Sequence, residues 1–114
     1  MYIKKRALPL LPERLSSKSL SAIEVVLPYN EALEAIDFFE NEEYLILGWE
    51  GWVKTSDGRV GHGSAPQGTV SLENCTVVEA ANICRETIRS DKAGWEKDNP
   101  ESDEKLHFCI TVRT

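Results

Sequence analysis

The sequence predicts an α+β fold, a single small domain in which a mostly antiparallel sheet carries two helices packed on one face. Three observations support this class. A chain of 114 residues is long enough for one core but not for a second domain. Its 41% hydrophobic and 28% charged residues lie near the globular average, which argues against wholesale disorder. Apolar periodicity changes along the chain in the order strand, helix, strand, hairpin strand, helix, strand.

The first 22 residues predict a basic arm that is loosely attached to a domain formed by residues 23–114. The arm contains prolines and serines, and its charged side chains are mostly basic (Lys4, Lys5, Arg6, Arg14 and Lys18 against Glu13). Pro9 and Pro12 cut its apolar part too short for a signal peptide, so the sequence predicts no export and a cytoplasmic location.

The domain begins with a strand and a helix. Alternating Ile23, Val25 and Leu27 predict a short strand that Pro28 ends. The helix that follows has Asn30 as its predicted N-cap. Its apolar residues recur at helical spacing and form one stripe (Ala32, Leu33, Ala35, Ile36 and Phe39). Opposite that stripe, four carboxylates are expected to line one exposed face (Glu31, Glu34, Asp37 and Glu40).

The second strand predicts different positions for two tryptophans. Leu45, Leu47 and Trp49 alternate with their neighbours, which places Trp49 in the core. Gly51 is expected to bend the strand, and Gly48 and Gly51 both permit a bulge or a close backbone approach. Beyond the bend, Trp52 is expected to be exposed, with Glu50 turned away from at least one of the two indole rings.

The second half predicts a hairpin, a loop, a helix and a strand. Asp57 and Gly58 form a hairpin turn, and a glycine-rich loop follows at residues 61–68. Thr76 and Glu79 form a capping box that starts the second helix. The apolar stripe of this helix is expected to pack in the core (Val77, Ala81, Cys84, Ile88 and Trp95). The final strand alternates apolar Leu106, Phe108, Ile110 and Val112 with other side chains, including a half-exposed His107.

Charge and cysteine content exclude several classes. A net charge of −6 argues against direct binding to DNA or RNA, because phosphate contacts need clustered cations. Residues 19–53 contain eight acidic side chains and no lysine or arginine. No apolar run approaches the roughly 20 residues that cross a bilayer. Cys75, Cys84 and Cys109 have no spacing typical of zinc or disulfide sites, so the sequence predicts buried free thiols, no metal and no cofactor.

The sequence has no spacing of side chains that is typical of a catalytic site. Asp57, His62 and Ser64 lie close together in sequence, but they occupy one turn and loop and lack a nucleophile elbow. The sequence therefore predicts a protein that is not an enzyme. A small hydrolase that uses these three residues, or a small-ligand-binding domain, remains the alternative interpretation.

One long segment resembles a known class of proteins. The run "ALEAIDFFENEEYLILGWEGWVKTSDGRVGHGSAPQGT", with the closing "LHFCITVRT", resembles the small cytosolic immunity proteins that bacteria encode beside polymorphic or contact-dependent toxins. It resembles more distantly the immunity protein of a tRNA-cleaving colicin. The resemblance covers roughly residues 30–114. It implies a non-catalytic inhibitor that binds its cognate toxin, often a nuclease, and blocks the active site.

The residues themselves suggest which surface binds such a toxin. Tryptophan anchors interfaces at low entropic cost, and carboxylates complement the cations that hold phosphate in a nuclease active site. The predicted toxin-binding residues combine both features with the neighbouring turn and loop (Glu31, Glu34, Asp37, Glu40, Glu50, Trp52, Asp57 and His62). Charge reversal at Glu34, Asp37 and Glu50 is expected to weaken binding and flatten its dependence on salt.

Overall fold

The computed structural model describes residues 7–113 and confirms the α+β class. A 3₁₀ turn at Leu8–Leu10 precedes the helices α1 (Glu13–Ser16), α2 (Tyr29–Asn41) and α3 (Val77–Asp98) and the strands β1 (Val25–Pro28), β2 (Leu45–Lys54), β3 (Val60–Gly61) and β4 (Lys105–Arg113). The strands form one sheet in the order β1-β4-β2-β3, and every strand pairing is antiparallel. Helices α2 and α3 pack on the same face of this sheet, as the sequence predicts.

Trp49 lies at the centre of the core between the sheet and α3. Its side chain is 1% exposed, and its ring packs edge-on against Phe108 with 5.4 Å between centroids. The indole Nε1 donates a 2.8 Å hydrogen bond to the Thr87 hydroxyl of α3. Because the one polar atom of this buried ring has a partner, the indole contributes its full apolar area without a desolvation penalty. The predicted core position of Trp49 is confirmed.

The N-terminal segment is part of the domain. Leu8, Leu11 and Leu15 are all buried in the same core cluster as the sheet residues. The prediction of a loosely attached arm is therefore wrong for residues 7–22, whereas Lys4, Lys5 and Arg6 lie outside the described residues. The three leucines have the apolar spacing i, i+3, i+7. They lie on two separate helical turns, because the backbone is extended at Leu11 and Pro12. This spacing is the sequence signal that would have indicated burial.

Two helix starts differ in how well local sequence predicts them. The capping box of α3 is confirmed, since the Glu79 amide donates to the Thr76 hydroxyl and the Thr76 amide donates to the Glu79 carboxylate. The Asn30 N-cap is wrong, because α2 begins at Tyr29 and extended Pro28 occupies the cap position without a side-chain hydrogen bond. Proline fixes its own φ near the helical value, so a helix can start immediately after it.

β2 runs without a bend through Gly51. This residue pairs with Phe108 of β4, and the strand continues to Lys54, so the predicted bend is wrong. A bulge between Ile46 and Gly48 shifts the register instead. The hairpin turn that leads into β3 is confirmed.

The end of the glycine-rich loop and the residues after it, 66–72, cover the outer edge of β2, and we call them the glycine-rich segment. Trp49 and Thr69 exchange two backbone hydrogen bonds of 2.8 and 3.0 Å, and the chain between residues 66 and 72 follows the strand. A Cβ on Gly48 would lie 2.4 Å from the Thr69 carbonyl oxygen, and one on Gly68 would lie 2.0 Å from the Trp49 carbonyl oxygen. These glycines therefore let two backbones meet, which pairs an edge that would otherwise be open to other strands.

The side of the sheet away from the helices is more buried than alternation predicts. Val26 and Cys109 are cross-strand partners on this side, and they are buried along with the apolar residues of the helix side. His107 is 8% exposed, so its predicted half-exposed position is wrong. Cys84 is buried and Cys75 is half-buried, and all three cysteines are free thiols. Burial raises the pKa of Cys84 and of Cys109 to about 12.

Burial of His107 predicts a pH-dependent stability. Desolvation lowers its pKa below the ordinary 6.5, and a hydrogen bond from Nδ1 to the Lys105 carbonyl opposes that effect in part. The unfolded chain therefore binds this proton more readily, and stability is lost as the pH falls from about 6.5 through the lower folded pKa. His107→Gln should reduce the fall in the free energy of unfolding measured by urea titration between about pH 7 and pH 5. An equal fall in both proteins would contradict this assignment.

Candidate functional site

The sheet separates the predicted toxin-binding residues into two groups. The acidic residues of α2 lie on the helix side, whereas Glu50 and Trp52 lie on the opposite side, where their cross-strand partners are Cys109 and His107. Residues two apart along a strand share a face, so Trp49 points into the core while Glu50 and Trp52 point away from it. A single flat partner surface cannot contact both groups.

The carboxylates of α2 do not form a bare acidic face. Glu34 forms an ion pair with Arg14, and Arg85 of α3 bridges Asp37 at 2.7 Å and Glu40 at 2.6 Å. The Arg85 side chain is only 17% exposed, which makes it a structural link between α2 and α3. The prediction of an exposed face is confirmed for Glu34 and Asp37 and is wrong for Glu31 and Glu40, which are half-buried. Three of the four carboxylates also have cationic partners.

Glu31, the fourth acidic residue of α2, is half-buried. Its Oε2 atom is buried and has no hydrogen-bond partner among the described residues. Its negative charge acts on buried His107 and raises the pKa of that histidine, although desolvation outweighs the effect. Glu31 is therefore only partly accessible to a partner.

Trp52 is half-buried, so its predicted exposure is wrong. Its two neighbours hold it in place on the side of the sheet away from the helices, which we call the open side. Its Nε1 donates a 3.2 Å hydrogen bond to the Glu50 carboxylate, and its ring meets the His62 ring edge-on with 5.5 Å between centroids. His62 is itself fixed by a 3.2 Å contact between Nδ1 and the Gly51 carbonyl oxygen. We call Glu50, Trp52 and His62 the Trp52 surface. An indole that is ordered before binding loses little entropy when a partner covers it.

Asp57 shapes the hairpin turn. Its carboxylate accepts a hydrogen bond from the Thr55 hydroxyl and forms a 3.0 Å ion pair with Arg59. The Thr55 hydrogen bond is the main reason that the pKa of Asp57 lies below its usual value. Asp57 is exposed, but its charge is engaged within the turn, so its place among the toxin-binding residues is the least supported of the open-side group.

The three residues of the hydrolase alternative form hydrogen bonds with other groups. Ser64 Oγ donates to the Glu104 carboxylate at 3.3 Å and accepts from Trp95 Nε1 at 3.0 Å. Within residues 7–113, no hydrogen bond joins Asp57, His62 and Ser64 to one another, so a catalytic triad is not formed. Trp95 is half-buried and holds the loop against α3, which corrects its predicted core position.

Two concave regions accompany these side chains. A pocket of about 260 Å³ lies beside Glu50. Val70 and Glu73 also line it, and neither is among the site residues predicted from the sequence. A cleft of about 550 Å³ lies between the end of α3 and the start of β4, where Lys92 and Lys105 offset Glu96 and Glu104. No local pattern in the sequence relates Val70 or Glu73 to Glu50, because their proximity depends on how the segment folds along β2.

Comparison of the chain with protein-family models, with curated proteins and with solved structures finds no match. No helix in the described part of the chain has both the length and the apolar composition that a membrane span requires. Residues 7–113 also contain no group of three or more histidine, cysteine or acidic side chains arranged to hold a metal ion.

Proposed function

We propose that this protein is a non-catalytic immunity protein that binds and neutralises a cognate bacterial toxin, a nuclease, in the cytoplasm. The resemblance described above suggests this class, and one structural observation carries the proposal. An indole on the open side of the sheet is held by a carboxylate and an imidazole, in a protein whose net charge is −6.

The chemistry of the Trp52 surface suits such a partner. Nuclease active sites are lined with cations that hold phosphate, so a carboxylate beside an aromatic anchor complements them in charge and in apolar area. Negative net charge also accelerates encounter with a cationic protein, and intramolecular ion pairs do not change that net charge. The acidic residues of α2 therefore contribute to steering, whereas Glu50 and Trp52 supply the direct contact.

The proposed function expects an adjacent gene to encode the toxin, and the test uses that toxin domain. Trp52→Ala is expected to weaken the complex by about 2 kcal/mol or more, roughly 30-fold in Kd, because a central tryptophan commonly dominates interface energy. Isothermal titration and a co-expression growth assay measure affinity and protection. Circular dichroism of the free variant controls for folding.

A matched pair of charge reversals separates contact from steering. Glu50→Lys and Glu86→Lys change the net charge equally, but Glu86 is exposed on α3, on the other side of the sheet. Both should slow association and flatten its salt dependence, whereas only Glu50→Lys should speed dissociation. A complex whose affinity is unchanged by Trp52→Ala, or a toxin that the protein does not inhibit, would contradict the proposal.

A further inference from the structure

A shallow pocket adjoins the Trp52 surface. It measures about 260 Å³ and lies between the bulge of β2 at Leu47 and Gly48 and the segment from Val70 to Glu73. Glu50 lines the pocket and also accepts the hydrogen bond from Trp52. The pocket and the indole are therefore neighbours that share Glu50.

The pocket combines an apolar wall with two acidic groups. Val70 is 67% exposed, and Leu47, which also lines the pocket, is half-buried. Glu50 and Glu73 supply carboxylates, and no lysine or arginine is among the residues that line this pocket in the described chain. The larger cleft near the end of α3 differs in this respect, since Lys92 and Lys105 balance its acidic residues.

We propose that this pocket receives one arginine side chain of the protein partner. The inference rests on the proposed function and specifies how the partner is recognised. The aliphatic stem of arginine would pack against Val70 and Leu47, and its guanidinium would lie between Glu50 and Glu73. Arginine fits because its planar head offers five donors, pairs with carboxylates in fixed geometry and is less strongly hydrated than the ammonium group of lysine.

The first test needs no toxin. The ¹⁵N-labelled protein is titrated with Nα-acetyl-arginine amide and, separately, with the neutral isostere Nα-acetyl-citrulline amide. Arginine amide should shift the backbone amide signals of Gly48, Glu50 and residues 70–73, and citrulline amide should not. Glu73→Gln should weaken this binding by roughly threefold, the effect of one exposed carboxylate on a cation. Glu86→Gln, outside the pocket, should leave it unchanged.

Two results would overturn the pocket assignment. One is an equal response to arginine and citrulline, and the other is a set of shifts centred on other acidic segments, such as α2 or residues 101–104. The outcome is separable from that of the proposed function. A toxin complex that depends on Trp52 but tolerates Glu73→Gln would refute the pocket alone, whereas arginine binding here without toxin inhibition would refute the immunity role alone.

Discussion

Gly68→Ala is expected to lower the free energy of unfolding by about 3 kcal/mol or more. The residue has a φ of +92°, which a side chain disfavours, and an added Cβ would lie 2.0 Å from the Trp49 carbonyl oxygen and 2.8 Å from the Glu50 Cα. Both obstacles are backbone atoms, so no rotamer change relieves the overlap. The substitution must separate the glycine-rich segment from β2 and so disturb the strand that carries Trp49, Glu50 and Trp52.

Gly94→Ala is the matched control for this prediction. Gly94 lies exposed inside α3, and a Cβ there would meet nothing within 4 Å. Alanine should therefore stabilise the protein by roughly 0.5–1 kcal/mol through its higher helix propensity. Urea unfolding should show opposite changes in stability for the two variants, although each replaces a glycine with alanine. Equal stability of Gly68→Ala and the parent would show that the segment does not pack against β2.

Trp49→Ala should lower the free energy of unfolding by about 3–5 kcal/mol, the usual cost of removing a large aromatic ring from a core. The ring is 1% exposed and contacts Phe108 of β4, while its Nε1 reaches α3. Its removal leaves a cavity between the sheet and the helix that packs on it. Because the loss is close to the whole stability of many small domains, the variant is expected to be largely unfolded at moderate urea concentration.

Thr87→Val separates the hydrogen bond of Trp49 from its packing. Valine keeps the shape of the side chain but removes the hydroxyl that accepts from the indole and donates to the Ile83 carbonyl. The expected loss is about 1–3 kcal/mol, the cost of a buried donor without a partner. Near-ultraviolet circular dichroism reports the change around the indole, and urea unfolding measures the loss in the free energy of unfolding. If Thr87→Val costs as much as Trp49→Ala, ring packing is not the main contribution.

Several elements follow from residues that are close together in the chain. The capping box of Thr76 and Glu79 starts α3, the Asp57-Gly58 turn forms the hairpin, and the apolar stripe of α2 faces the core. In each case the physical cause acts over at most about four residues, as a cap, a turn geometry or a helical period. The antiparallel α+β class follows from the order of these elements.

Only part of the candidate site could be predicted, because local rules give the face on which a side chain lies but not its distant partners. Alternation along one strand is a local rule, and it correctly separates buried Trp49 from the Trp52 surface on the other side of the sheet. Whether a carboxylate is available to a partner is not local. Arg85 lies 48 residues after Asp37, yet it forms ion pairs with that side chain and with Glu40.

The class of fold, most of its elements and the core position of Trp49 follow from local patterns in the sequence, because hydrophobic periods, caps and turns act between neighbours in the chain. Long-range packing brings the N-terminal leucines into the core and places cations from other elements beside the acids of α2. It also brings Glu73 into the same pocket as Glu50. Those outcomes depend on which distant segments meet, since ion pairing and burial are set by distance in space.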